Sequence, residues 1–122
     1  MAAGRPTPVQ TTVDRIDFAS DTSTAPARGS LSHNNKDNAA CGNENYGYVQ
    51  GYHNTNIQRI DYANDTATAA PKGPLTQARR TKSTGSTSYG WSGGGSTTGH
   101  AGTSTIDRID FSNDTATAVV KG

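Results

Sequence analysis

One short motif occurs three times in this chain. Val13-Asp14-Arg15-Ile16-Asp17-Phe18-Ala19-Ser20-Asp21-Thr22-Ser23-Thr24-Ala25 returns as Ile57-Gln58-Arg59-Ile60-Asp61-Tyr62-Ala63-Asn64-Asp65-Thr66-Ala67-Thr68-Ala69, and again as Ile106-Asp107-Arg108-Ile109-Asp110-Phe111-Ser112-Asn113-Asp114-Thr115-Ala116-Thr117-Ala118. The copies stand 44 and then 49 residues apart, counted from Arg15 to Arg59 to Arg108. That spacing falls in the range of propeller-blade repeats, about 40 to 50 residues, and restricts the chain to a repeat architecture.

Within each copy the pattern has period two. Ile16 and Phe18 share a face with Asp14, while Val13, Arg15 and Asp17 share the other, which predicts a strand. The Ala-Ser-Asp, Ala-Asn-Asp and Ser-Asn-Asp tripeptides that follow favour tight turns, and the Thr-rich segment after them is expected to return as a second strand. Each motif is therefore read as a hairpin. Gly and Pro in Ala27-Arg28-Gly29-Ser30-Leu31-Ser32 and Pro71-Lys72-Gly73-Pro74-Leu75-Thr76 mark a further turn. Between the hairpins lie two aromatic strands that run into glycines, Asn45-Tyr46-Gly47-Tyr48-Val49-Gln50-Gly51-Tyr52 and Ser88-Tyr89-Gly90-Trp91-Ser92-Gly93-Gly94-Gly95. Each follows a polar stretch long enough for one more strand.

The chain thus parses as an N-terminal arm (1–12) and one β-repeat domain (13–122), comprising a half unit (13–32) and two full units (33–76 and 77–122). The expected fold is all-β, about two and a half four-stranded antiparallel units with little or no helix. Ile16, Phe18, Ile60, Tyr62, Ile109 and Phe111 are the expected buried anchors.

Leu, Ile, Val and Phe supply only 14 of the 122 residues. So low a share suggests disorder when net charge is high, but the formal net charge is +1. The regular turn residues argue instead for thin β packing in which Ala, Thr and aromatics replace large aliphatics. A lone copy would be marginal, so self-association or docking on a larger partner is expected. Eleven basic against ten acidic residues give no footprint for nucleic acid. No stretch is long and apolar enough to span a bilayer, and the start lacks the apolar region of a cleaved signal, so neither membrane insertion nor secretion by a cleaved signal is expected. A single cysteine, Cys41, rules out an internal disulfide.

The recurring Arg and Asp two residues apart (Arg15 and Asp17, Arg59 and Asp61, Arg108 and Asp110) are the most regular charged feature. A ligand bound in register is conceivable. Pairing with neighbouring units or with turn amides is the better reading, because repeat architectures reuse one interface. Asp14, Asp17 and Asp21 match no EF-hand spacing. Gly93-Gly94-Gly95 lacks the Gly-Lys-Ser/Thr of a phosphate loop. His33, His53 and His100 occupy non-equivalent positions without partners for a zinc site or a triad. No catalytic, metal or cofactor site is expected, and the chain is read as a non-enzyme. Asn64 and Asn113 head glycosylation sequons, but a turn role suffices for both.

Arg79-Arg80, Tyr89-Gly90-Trp91-Ser92-Gly93-Gly94-Gly95, Ile106-Asp107-Arg108-Ile109-Asp110-Phe111 and Thr115-Ala116-Thr117, in that order, resemble a kelch-type blade. More narrowly, Val-Asp-Arg-Ile-Asp-Phe, Asn-Asp-Thr-Ala-Thr-Ala and Lys-Gly-Pro-Leu are similar to repeats in virion structural or fibre-like proteins of marine cyanobacterial tailed phages. The resemblance covers most of 13–122. It implies kelch-like blades, too few to close a propeller, and a virion component such as a capsid decoration, tail-fibre or adhesin-type protein. That protein would be synthesised in the host cytoplasm and would contact itself, a larger virion protein or a host-surface glycan. The alternative is a subunit of an extracellular fibril or surface layer that assembles by repeat stacking.

Overall fold

The computed structural model describes residues 10–51 and 54–122. Among these residues eight strands form two four-stranded antiparallel sheets, each in simple sequential order. The first sheet holds β1 (Ala39–Gly42), β2 (Tyr46–Gln50), β3 (Ile57–Asp61) and β4 (Ala70–Lys72). The second holds β5 (Arg80–Gly85), β6 (Tyr89–Ser96), β7 (Ile106–Asp110) and β8 (Val119–Val120). The sheets do not join into a closed barrel or ring, and they lie against each other along β1 and β5. The half unit contributes a single bridge, Asp14 with Ala27. Most of the expected arm, residues 1–9, lies outside the described residues. Gln10 and Thr11, at its end, bond to Asn35 and Leu31.

Local chemistry sets the turns. The Asn43 side-chain oxygen accepts from the amides of Asn45 and Tyr46, at 2.9 and 3.0 Å, and closes the β1–β2 turn. Ser86 Oγ does the same for Ser88 and Tyr89 between β5 and β6. The third and fourth strands of each unit are linked differently from the expected tight hairpin. Asp17, Asp61 and Asp110 each accept, at 2.9 Å, from the amide two residues on. That bond starts a 3-10 turn at Phe18–Ser20, Tyr62–Asn64 and Phe111–Asn113 and, in the second and third motifs, stops the strand. The aromatic of the motif therefore opens a turn rather than ending a strand. The Thr-Ala-Thr-Ala segments make no ladder, and the return strands come after them, at Ala70–Lys72 and Val119–Val120.

The apolar core lies between the two sheets. Tyr48, Ile57, Leu75, Ile109 and Ala118 are buried together, with Cys41, Tyr46 and Phe111 packed against them. Only part of the expected anchor set belongs to it. Ile109 is 3% exposed, and Ile60 and Phe111 are half-buried, but Ile16, Phe18 and Tyr62 are 61%, 88% and 50% exposed. The reason is positional. This face of a motif is covered by the unit before it; the first motif has no such unit among the described residues, and the second has only a half unit.

This gradient predicts unequal effects from one chemical change. Ile109→Ala should lower stability by about 2 to 5 kcal/mol, as for a core aliphatic. Ile16→Ala should stay within about 0.5 kcal/mol of wild type. Thermal unfolding of dilute protein checks both, and equal losses would show that the three motifs are packed alike.

Candidate functional site: the contacts between repeat units

The repeated charges serve contacts between units. Arg15 donates from Nη1 to Asp65 Oδ2 at 2.8 Å, and Arg59 donates from Nη1 to Asp114 Oδ2 at the same distance. Each arginine thus reaches the Asn-Asp-Thr aspartate of the next motif. A second cation, thirteen residues after the first, approaches the same carboxylate: Arg28 to Asp65 at 3.5 Å and Lys72 to Asp114 at 3.3 Å. Backbone bonds repeat with the charges. Gly29 N and Gly73 N donate to Asp65 O and Asp114 O, and Ala69 N and Ala118 N donate to Ser30 O and Pro74 O, all at 2.8 Å. Glycine is obligatory at this crossing. A Cβ on Gly29 would lie 1.9 Å from Ala67 O, and one on Gly73 1.9 Å from Ala116 O.

The two junctions differ in one aromatic residue. In the second, the buried Tyr48 hydroxyl donates to Asp114 Oδ2 at 2.8 Å, and its ring stacks on Phe111 with centroids 4.6 Å apart and planes 7° from parallel. Burial, reinforced by the hydrogen bond to the Asp114 carboxylate, raises the phenol pKa well above its ordinary value. In the first junction the half unit has no β2, so the corresponding space is a cleft of about 340 Å³ bordered by Val13, Arg15, Arg28, Ile60, Tyr62 and Asp65.

Of the charge pairs expected from the sequence, Arg15 and Arg59 bind the next unit, and Asp17, Asp61 and Asp110 hold turn amides; the two members of a motif form no salt bridge with each other among the described residues, although the Arg108 charge acts on Asp110 from a distance. Hydrogen bonds from Ser112, first its side chain and then its amide, hold the Asp110 carboxyl below its ordinary pKa. Arg108 stacks over the Tyr89 ring at 4.3 Å, as Arg59 does over Tyr46 at 4.2 Å, but makes no ion pair among the described residues. The actual acceptors, Asp65 and Asp114, stand in tripeptides whose local sequence marks them only as turn formers. Their signal was an aspartate six residues after the arginine in every copy.

A second polar feature also escaped the sequence reading. Arg79 and Asp107 are completely buried and paired at 3.1 Å. Arg79 also donates to the carbonyls of Gly94 and Ser92, both at 3.0 Å, and Asp107 accepts from Thr76 N and Oγ1. In the first sheet the neutral Gln58 takes the place of Asp107 and accepts from Ser32 and His33. Enclosed in this way, Arg79 is a clamp on strands. Gln50 Oε1, accepting from Ser83 and Ser92, ties the two sheets together.

No group of three or more His, Cys, Asp or Glu side chains is placed to hold a metal among the described residues. His53 lies outside them. Asn64 and Asn113 are both exposed. No known family model matches the chain, and no curated protein matches it significantly.

Two outcomes follow from this geometry. Asp114→Ala strands the Tyr48 hydroxyl and Arg59, so it should cost on the order of 3 kcal/mol. Asp65→Ala, facing the exposed Arg15, should cost about 1 kcal/mol or less. Denaturant titration of both proteins gives the comparison, and equal costs would contradict the unequal burial of the junctions. Separately, burial pushes the Cys41 thiol up to about 11. At pH 8 that cuts its thiolate population about a hundredfold. Alkylation of the folded protein should be slowed to match; labelling at the rate of a free thiol would place Cys41 in open solvent.

Proposed function

We propose that this chain is a structural component of a phage virion, of the capsid-decoration, tail-fibre or adhesin type, that works through its β-repeat surfaces and assembly contacts. The observation that carries the reading is the junction between units. The same arginine, second cation, aspartate and glycine are used twice inside one chain to join neighbouring units, so the most regular charged residues serve association rather than chemistry. The motif resemblance supplies the particle. Partners on this reading are other copies of the chain or a larger virion protein.

Immunogold electron microscopy of the native source tests it. Label on icosahedral heads, tails or fibres is expected. Label confined to long uniform filaments free of particles would overturn the virion assignment in favour of a fibril or surface-layer subunit.

A further inference from the structure

Equivalent residues of the repeat change exposure in opposite directions along the chain. The Ile16, Ile60, Ile109 series becomes progressively more buried, and Phe18, Tyr62, Phe111 follows it. On the opposite face Val13 is half-buried and Ile57 only 1% exposed, whereas Ile106 is 39% exposed. Tyr48 is fully enclosed, whereas Trp91, at the same place in β6 and likewise opposite its motif arginine, is only half-buried. A unit therefore has one face that its predecessor covers and another that its successor covers. Among the described residues the former is uncovered at the first motif, and the latter at the third.

The two open faces are complementary halves of the junction already built twice. The first motif presents Asp21, which corresponds to Asp65 and Asp114 and makes no ion pair among the described residues, beside the exposed Ile16 and Phe18. The last presents Arg108 and Lys121, which correspond to Arg59 and Lys72 and likewise make no ion pair among those residues, beside Trp91 and Ile106. Arg108 Nε is buried without a hydrogen-bond partner. Gly122 stands where Gly29 and Gly73 cross the next motif, and a Cβ there would meet nothing closer than Ile106 Cδ1 at 3.6 Å.

We infer that the chain associates head to tail with a second copy of itself. Asp21 of one copy receives Arg108 and Lys121 of the other, and Phe18 stacks on Trp91 as Phe111 stacks on Tyr48. The Trp91 indole N–H replaces the Tyr48 hydroxyl as a donor toward the carboxylate. Such a contact is heterologous, because different surfaces meet, so it repeats into a ring or a filament. The inference rests on the reading of the chain as a module that assembles through its repeats, and it names the surface and the partner.

Reciprocal charge reversal tests it by sedimentation velocity of the full chain. Wild type should form concentration-dependent oligomers from micromolar upward and lose them in 1 M salt, where the Debye length shrinks to about 3 Å. Asp21→Arg alone should sediment at 12.7 kDa, and so should Arg108→Glu/Lys121→Glu. An equimolar mixture of the two should assemble again, since every junction then joins opposite charges. Lys121→Glu, at an exposed position that leaves the Arg108–Tyr89 stack alone, guards against a folding defect and should weaken association at least tenfold. Phe18→Ala should do the same without lowering the melting temperature of dilute protein. A wild-type monomer at every concentration would overturn the inference, as would oligomers indifferent to all these changes or a mixture of folded variants that stays monomeric. Particle labelling decides the virion assignment independently of any of these results.

Discussion

The Asp114 carboxylate is where the two sheets are tied. It receives the Tyr48 hydroxyl and the Arg59 guanidinium on one oxygen and the Lys72 ammonium on the other, all from the preceding unit. Around it close Ile57, Leu75, Ile109 and Ala118, drawn from both units. Neither sheet has enough large aliphatic residues to make a core alone. The core is therefore a property of the junction, and its buried charges need each other because a lone one would be costly to desolvate. The 3-10 turns belong to the same device. By ending each third strand early, Asp61 and Asp110 place the aspartates of the following turn within reach of the neighbouring unit's cations.

Much of this fold was legible in the sequence. Period-two alternation marked β3 and β7, and aromatic-glycine runs marked β2 and β6, because strand geometry is written locally. What failed was whatever depends on a neighbour. Ile16 and Ile109 have the same local sequence, yet one is exposed and the other buried, so no pattern within the motif distinguishes them. The return strands were misplaced because a side-chain hydrogen bond from Asp to the amide two residues on competes with the ladder, and β propensity in Thr-Ala-Thr-Ala does not register it. At the candidate site the arginines were recognised but their partners were not. An aspartate inside Asn-Asp-Thr has a sufficient local explanation as a turn former, and the fifty-odd residues to its true partner hide the pairing.

The buried Arg79–Asp107 pair separates the two units. It sits where β5 and β6 slip register between Arg80 and Lys82 and where Gly94 and Gly95 adopt positive φ. A Cβ on Gly95 would collide with Arg80 O at 1.5 Å. The guanidinium collects the carbonyls of Ser92 and Gly94 at this irregularity, a task suited to its planar fork of donors. The first sheet has no such slip, and there the neutral Gln58 suffices. The charge is thus matched to an irregular backbone rather than demanded by the repeat.

The empty place beside Tyr62 has a kinetic meaning. The second junction is sealed by a buried tyrosine, whereas the first is a half-exposed ion pair over an unfilled cleft. In a linear array whose stability is a sum over neighbours, such inequality divides the molecule into parts that open separately. On that basis the paired sheets are expected to open as one block, and the first motif to open more readily than they do. Its amides should then exchange with solvent before those of β2 and β7, because less buried surface must open to expose them.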